Sequence, residues 1–445
     1  CSESFSLIGI MTHSNLYNKI MKVGILGLGT VGGGVVNVLQ KNSASMERRT
    51  GVKIEVILAG VRDVTQKRIC DTSNIKLTED PFEVVNHPDI DVVLELIGGT
   101  GLTKELVETA INNGKHVITA NKALIANHGN ELIKLANKKQ VRLLFEASVA
   151  GGIPIIKSLE QGLSANNIES LAGIINGTSN FILTDMKEKG RDFDDVLKEA
   201  QALGYAEEDP TFDIEGIDAA HKLSILAAIA FGTELQFNQV YTKGISGITT
   251  EDIIHAQELG YTIKHLGIAK RTGNGIELRV HPTLVSNKQL IAQVDGVMNA
   301  VMVKSNALGI SLYYGAGAGD EATASAVIAD LNDIINNQTS NHILGWKSQQ
   351  KLAVIDNDEI HSEFFLRLLV SDIKGVLAKV TGIFNDHNVS IEALIQKQVD
   401  ENKNAHIAIT TDKVSTKAIM SIKAAIEASD FNQSEVQIIH IELLD

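Results

Sequence analysis

Apolar residues along the chain change their period in a regular way. Lys22–Leu26 is short, apolar and β-branched, Thr30–Gln40 has apolar positions at helical spacing, and Lys53–Ala59 alternates as a half-buried strand does. Asp91–Ile97 and His116–Thr119 repeat the strand pattern, while Thr103–Asn113 and Asn130–Lys139 are helical stretches. Strand and helix in alternation predict an α/β fold built on a doubly wound parallel sheet.

From about Ala150 the texture changes. Strand-like runs at Ile168–Ile175, Ile276–Val280 and Ala300–Val303 accompany two helical stretches, Phe193–Leu203 and Ile217–Phe231, which predicts an α+β layer. Near Gly315 the chain returns to a glycine-rich loop and then a helical run, Ala322–Ile335. Beyond the polar stretch Asn336–His342 come strand Phe364–Val370, helix Val376–His387, strands Ser390–Gln398 and Ala405–Thr411, helix Lys417–Ala428 and strand Val436–Leu443. That order, β-α-β-β-α-β, is a ferredoxin-like module.

Composition narrows the class. A chain of 445 residues is too long for one core, and roughly two to four domains are expected. A net charge of −14 without any basic block argues against nucleic acid or an anionic membrane as partner. The two cysteines, Cys1 and Cys70, are too few for a disulfide framework and fit a reducing compartment. No apolar run reaches the ~18 residues of a membrane span, so a cytoplasmic location is expected. Residues 1–20 read as an extension ahead of Met21. A processed lipoprotein Cys1 is the alternative, but the segment has no secretory character.

Several stretches carry chemistry. Gly27-Leu28-Gly29-Thr30-Val31-Gly32 is G-x-G-x-x-G between a strand and a helix, the setting in which such a loop binds a dinucleotide. Gly27 permits the tight turn, Gly29 the approach of a pyrophosphate, and Gly32 close packing of helix on strand. After the second strand stands Gly60-Val61-Arg62-Asp63. An acid there accepts from ribose hydroxyls and an arginine grips a 2′-phosphate; both types are present, and Arg62, with Lys67 and Arg68, favours NADP over NAD, a solvated basic turn being the other reading. Lys122 follows a strand at the ligand-binding end of the sheet, although spacing alone also fits a surface lysine. Glu146–Pro154 is a carboxylate beside a glycine turn, either a cation site built from carbonyls or a plain bend between domains. Asp218 and Lys222, four apart, share one face of a helix on which nearby Ala219, Leu223 and Leu226 are apolar. They are either a solvated ion pair or a lysine in a dry cleft, where it can exchange a proton near neutral pH.

Taken in order, Gly27–Gly32, Asn121–Ala123, Glu146–Pro154, Asn176-Gly177-Thr178-Ser179-Asn180, Gly204–Asp213 and Asp218–Leu226 resemble homoserine dehydrogenase. The resemblance implies interconversion of L-homoserine and L-aspartate 4-semialdehyde with NADP or NAD. It makes Lys222 the proton donor and acceptor, with Lys122 between nicotinamide and substrate. Glu207, Asp213 and Asp218 would hold the substrate amino group and position the lysines, with Thr178 and Tyr205 in the substrate pocket. Carbonyls of Glu146, Val149, Gly151 and Ile153 match a structural sodium site, and Thr100, Gly204, Gly317 and Gly319 match positions near the cofactor. One departure is the proline usual before Thr323-Ala324-Ser325, replaced here by Glu321-Ala322.

Asp372-Ile373-Lys374-Gly375-Val376-Leu377 resembles the ACT signature, in which Asp372, Gly375, Val376 and Leu377 would contact a small amino acid, commonly threonine on this pathway. A module that only oligomerises is the other reading. The expected organisation is an extension at 1–20 and a dinucleotide-binding domain at 21–150 with a return segment at 315–345. A catalytic and dimerisation domain at 151–314, a linker at 346–361 and an ACT domain at 362–445 complete it, in a homodimer or homotetramer. No region large enough for a fused aspartokinase is expected. The competing functions are another Rossmann dehydrogenase acting on an amino-acid semialdehyde, and a sensor that binds cofactor and amino acid without turnover.

Overall fold

The computed structural model describes residues 19–273, 275–336, 344–396 and 404–444, which form two compact units. In the first, β1 (Lys19–Leu26), β2 (Val52–Gly60), β3 (Lys76–Thr78), β4 (Val92–Glu95), β5 (His116–Thr119) and β6 (Leu143–Leu144) make a six-stranded sheet. Its order is β3-β2-β1-β4-β5-β6, all parallel, so the winding reverses between β1 and β4. This is the Rossmann arrangement, with its ligand crevice beyond the strands' carboxyl ends at that reversal. Val23, Ile25, Val92 and Leu94 are fully buried and pack with Val35 and Leu39 of the helix Thr30–Thr50. Ala324, Val327 and Leu331 of the helix Asp320–Asn336 complete this core. The two helices approach so closely that a Cβ on Gly34 would lie 2.7 Å from the Asp320 carbonyl oxygen.

Some element limits differ from the sequence expectation. β1 begins at Lys19, inside the stretch assigned to the extension, and residues 1–18 lie outside those described. The helix expected at Asn130 starts at Lys122, because the Asn121 side chain caps it by accepting from Leu124 N–H at 3.0 Å. That moves Lys122 from a strand end into the first turn of a helix.

The second unit contains β7 (Ile168–Ile174), β8 (Tyr241–Thr242), β9 (Tyr261–Arg271), β10 (Gly275–Ser286), β11 (Met298–Ser305) and β12 (Gly309–Ala316). After them come β13 (Ala353–Val354), β14 (His361–Ser371), β15 (Ile391–Gln396), β16 (Asn404–Thr411), β17 (Val414–Ser415) and β18 (Gln437–Glu442). They form one sheet in the order β12-β11-β7-β9-β10-β18-β14-β16-β15, with β8 and β13 also on β10 and β17 on β14. Sequence periodicity misses β9: from Thr262 to Ala269 every residue is buried, so no alternation exists to be read. It also misses the helix Gly177–Lys189, whose Thr178, Ser179, Asn180, Thr184 and Asp185 are polar yet buried.

The C-terminal part has the expected ferredoxin-like order, β18-β14-β16-β15, with every neighbour antiparallel. The helices Val376–Asp386 and Thr416–Glu427 accompany it. It is not an appended module on a free linker. β18 pairs in parallel with β10, Thr283 beside His440 and Val285 beside Glu442, so one sheet runs through both parts. The stretch read as linker holds β13, paired with β10, and the 3-10 turn Asn357–Glu359. Of the expected strand Ser390–Gln398, the last two residues fall outside those described, as does most of Asn336–His342. Among the described residues no helix is long and apolar enough to cross a membrane.

Candidate active site

The helix Ile217–Phe231 is buried from Asp218 onward and packs on β7, β9 and β10. A helix apolar all round is a core helix, where a charge persists only if paired. Asp218, 2% exposed, and Lys222, 9% exposed, answer that requirement. Lys222 Nζ donates to Asp218 Oδ2 at 2.7 Å and to the Ile175 carbonyl at 2.7 Å. Of the two readings left open by their spacing, the solvated surface pair is removed.

Asn176 gathers the acids. Its side-chain oxygen caps the helix Gly177–Lys189 through Ser179 N–H at 2.8 Å. Its amide nitrogen donates to Asp213 Oδ1 at 2.7 Å and to Asp218 Oδ2 at 2.9 Å. One amide bridges two carboxylates with Lys222 beside them, a cluster of acids that can take a ligand ammonium group. The sequence reading gave Asn176 no role. The available signal was its position just before a helix, where Asn caps well.

Thr178 donates from its hydroxyl to the Tyr205 carbonyl at 2.6 Å, and the Tyr205 ring, 44% exposed, stands edge-on to Phe181 at 5.1 Å. Gly204 has φ +75° and is exposed. Glu207 is not drawn into the constellation: it is exposed, and among the described residues its carboxylate makes no hydrogen bond or ion pair.

In the first unit, Gly27 has φ +94°, and its N–H donates to the Gly60 carbonyl at 2.9 Å. A Cβ on Gly32 would sit 2.0 Å from the Gly27 carbonyl oxygen, whereas one on Gly29 would meet nothing within 4 Å. Gly29 is the N-cap of Thr30–Thr50, whose first turn carries no acid, so unsatisfied N–H groups face an open space fit for a phosphate. Leu28 is buried in the core beneath, leaving only its backbone for a ligand; Thr30 is exposed and Val31 half-buried. Asp63 accepts from Thr65 N–H at 2.7 Å and Thr65 Oγ1 at 2.6 Å, bonds that hold its carboxyl below the usual value. Arg68 folds back onto the Asp63 carbonyl. Arg62 is exposed and makes no hydrogen bond or ion pair among the described residues. Thr100 is the N-cap of Gly101–Asn112 without a side-chain bond, and Lys122 is half-buried.

Glu146 is buried, and its N–H donates to Asp330 Oδ2 at 2.9 Å. Val149 and Ile153 are buried, and Ala150 and Gly151 are both left-handed, φ +55° and +47°. A Cβ on Gly151 would lie 2.4 Å from the Gly317 carbonyl oxygen, and one on Gly317 would overlap the Asn299 side chain. Gly319 has φ +122°. Among the described residues no group of three or more His, Cys, Asp or Glu is arranged to hold a metal. In the C-terminal part Gly375, φ +92°, caps the helix Val376–Asp386. It borders a cleft of about 440 Å³ lined also by Asp372, Val376, Leu377, Gln396 and Ile407.

Comparison with known proteins shows the family. The homoserine dehydrogenase family model matches residues 154–332, its NAD binding domain residues 27–146, and the ACT domain residues 364–430. A homoserine dehydrogenase of Pseudomonas aeruginosa is 53% identical over 96% of this chain and 100% of its own length. The crystal structure of a homoserine dehydrogenase from Thiobacillus denitrificans is 51% identical with TM-score 0.91, covering 96% of this chain and 99% of that one. A hyperthermophilic archaeal homoserine dehydrogenase in complex with NADPH is 26% identical with TM-score 0.59, covering 71% of this chain and 97% of that one. The chain therefore belongs to the homoserine dehydrogenase family, NAD(P)-binding oxidoreductases acting on a CH–OH group, and carries an ACT domain at its C-terminal end.

Proposed function

We propose that the chain interconverts L-homoserine and L-aspartate 4-semialdehyde in the cytoplasm, on the route to threonine, methionine and isoleucine, with NADPH as its preferred cofactor. The observation that carries this reading is the buried Lys222–Asp218 pair tied to Asp213 through Asn176. The acids take the substrate ammonium group, which fixes C4 and its hydroxyl. Glu207, whose carboxylate makes no hydrogen bond or ion pair among the described residues, joins them once substrate is present. Thr178 and Tyr205 complete the pocket. The nicotinamide supplies the hydride acceptor or donor. Lys222 takes the hydroxyl proton in oxidation and returns it in reduction, while Lys122 balances charge on the same oxygen. Holding two carbons and one base in line supplies most of the rate such a reaction needs.

The glycine loop fits a dinucleotide, with Gly27, Gly29, Thr30 and Gly32 around the pyrophosphate and Thr100, Gly204, Gly317 and Gly319 at its edges. Preference for NADPH rests on Arg62 being uncommitted while Asp63 is engaged in its own turn. An archaeal relative is named for its NADPH complex. Carbonyls of Glu146, Val149, Gly151 and Ile153 would be the hard oxygen donors for a structural sodium ion. Asp372, Gly375, Val376 and Leu377 take threonine as feedback inhibitor, in a homodimer or homotetramer. Purified full-length chain tests the reading directly: homoserine should reduce NADP, and aspartate semialdehyde should oxidise NADPH. Turnover of neither substrate would overturn it.

A further inference from the structure

The carboxylate of Glu95 plays no part in the mechanism above, yet it is fully buried at the carboxyl end of β4. Burial pushes its carboxyl up from the ordinary value, against the pull of the donors around it. Oε1 accepts from Ile97 N–H at 3.0 Å and Gly98 N–H at 3.1 Å, and Oε2 accepts from the Thr119 hydroxyl. Glu95 and Thr119 are register partners on β4 and β5. Thr119 Oγ1 in turn accepts from Asn121 N–H at 2.9 Å. Asn121 caps the helix that starts at Lys122 and donates from Nδ2 to the Gly99 carbonyl at 2.6 Å. The bonds close a ring: Glu95, the Gly98-Gly99 turn, Asn121, Thr119 and back to Glu95.

Two backbone N–H groups and the Thr119 hydroxyl converge on this position. A carboxyl group answers them through its two oxygens, which no apolar side chain could do. Burying so polar a group is costly unless its partners are met, so packing alone does not account for it. The two segments it braces, Gly98–Thr100 and Ala120–Lys122, both leave strand ends on the ligand side of the sheet.

We propose that Glu95 is a positioning residue for hydride transfer, holding Lys122 and the Gly98–Thr100 turn in one fixed relation. The inference rests on the catalytic reading of Lys122 given above. Glu95 touches neither substrate nor cofactor, and it acts through the hydrogen-bonded ring.

A double-mutant cycle in the full-length enzyme tests it. Glu95→Ala should lower kcat by about 10²-fold, the loss that a misplacement near 1 Å produces. The KM for homoserine should change only a few-fold, and the Kd for NADPH, read by fluorescence titration, should rise by much less than kcat falls, Thr100 being one of several cofactor contacts. Glu95→Gln, which can still accept both N–H groups and donate to Thr119, should restore most of kcat. The double variant Glu95→Ala/Lys122→Ala should be no slower than Lys122→Ala alone, because residues that act as a unit are not additive. If Glu95→Ala does not fold, Thr119→Val breaks the same ring with little change of shape and takes its place. Additive losses, or NADPH affinity falling in step with kcat, would overturn the proposal. If Lys122→Ala itself turns over normally, the catalytic reading of Lys122 fails first and the role of Glu95 falls with it.

Discussion

Arg279 Nη2 and Glu442 Oε1 meet at 2.7 Å, with side chains 1% and 2% exposed, and so bind β10 of the catalytic part to the last strand of the chain. Lys270 reaches the other carboxylate oxygen, and Glu277 takes Arg279 Nη2 at 2.9 Å. Burial alone would push the Glu442 carboxyl up; Arg279 and Lys270 overcome it and hold it at about 2. The C-terminal part is thereby built into the catalytic sheet.

Removing Glu442 takes from the buried Arg279 one of its two carboxylates, leaving Glu277, and takes from Lys270 the carboxylate it reaches. Glu442→Ala should lower unfolding stability by about 1.5–3 kcal/mol, measured by denaturant titration. By the same reasoning, a chain ending after Gln350 loses β18 and β14. It should be insoluble or inactive, where a free module would have left an active, desensitised enzyme. Soluble truncated enzyme with normal turnover would contradict the built-in junction.

Acid should weaken the fold from about pH 6.5 downward. His265, fully buried in β9, is held at about 4 by burial, and burial also takes His281 and His440 well below the ordinary value of 6.5. A folded-state pKa below the unfolded one means the unfolded chain binds more protons across that interval. The contribution is complete above pH 6.5 and is lost as pH falls toward 4; for His265 it is about 3 kcal/mol. Melting temperature should therefore fall steadily from pH 6.5 to pH 4, with a shallower slope in His265→Leu. An identical slope in the variant would show that His265 is not responsible.

If Lys222 exchanges the substrate's hydroxyl proton as proposed, Lys222→Ala should reduce kcat by about 10²–10⁴-fold while NADPH still binds. Steady-state turnover of aspartate semialdehyde with parallel cofactor titration checks both halves. Near-normal turnover would remove Lys222 from the chemistry.

Arg62→Ala should raise the KM for NADPH far more than that for NADH, since only NADPH presents a 2′-phosphate to a guanidinium. Kinetics with both cofactors decide the matter. Equal effects would mean that Arg62 does not read the phosphate.

Millimolar threonine should inhibit the full-length enzyme by binding at the Asp372–Leu377 loop, where the start of the Val376–Asp386 helix favours a carboxylate. Gly375→Ala, strained at φ +92°, should raise the inhibitory concentration relative to the variant's own uninhibited rate. The absence of calorimetric binding and of inhibition by threonine, isoleucine and methionine would leave the module a structural one.

Local order is what the amino-acid sequence alone determined here. The glycine spacing Gly27–Gly32, the alternation of strand and helix, the β-α-β-β-α-β order and the Asp218–Lys222 pair all depend on neighbours a few residues apart, and periodicity and turn chemistry report those directly. Burial along β9 and inside Gly177–Lys189 erased the alternation that would have revealed them. Three things were decided only by the tertiary structure: Asn176 between Asp213 and Asp218, Glu95 bridged to Asn121 through Thr119, and β18 laid on β10 with Glu442 against Arg279. Each joins residues from separate elements, 163 positions apart for Arg279 and Glu442. The forces responsible, pairing of desolvated charges and saturation of buried donors, act only after the apolar core has brought those elements together.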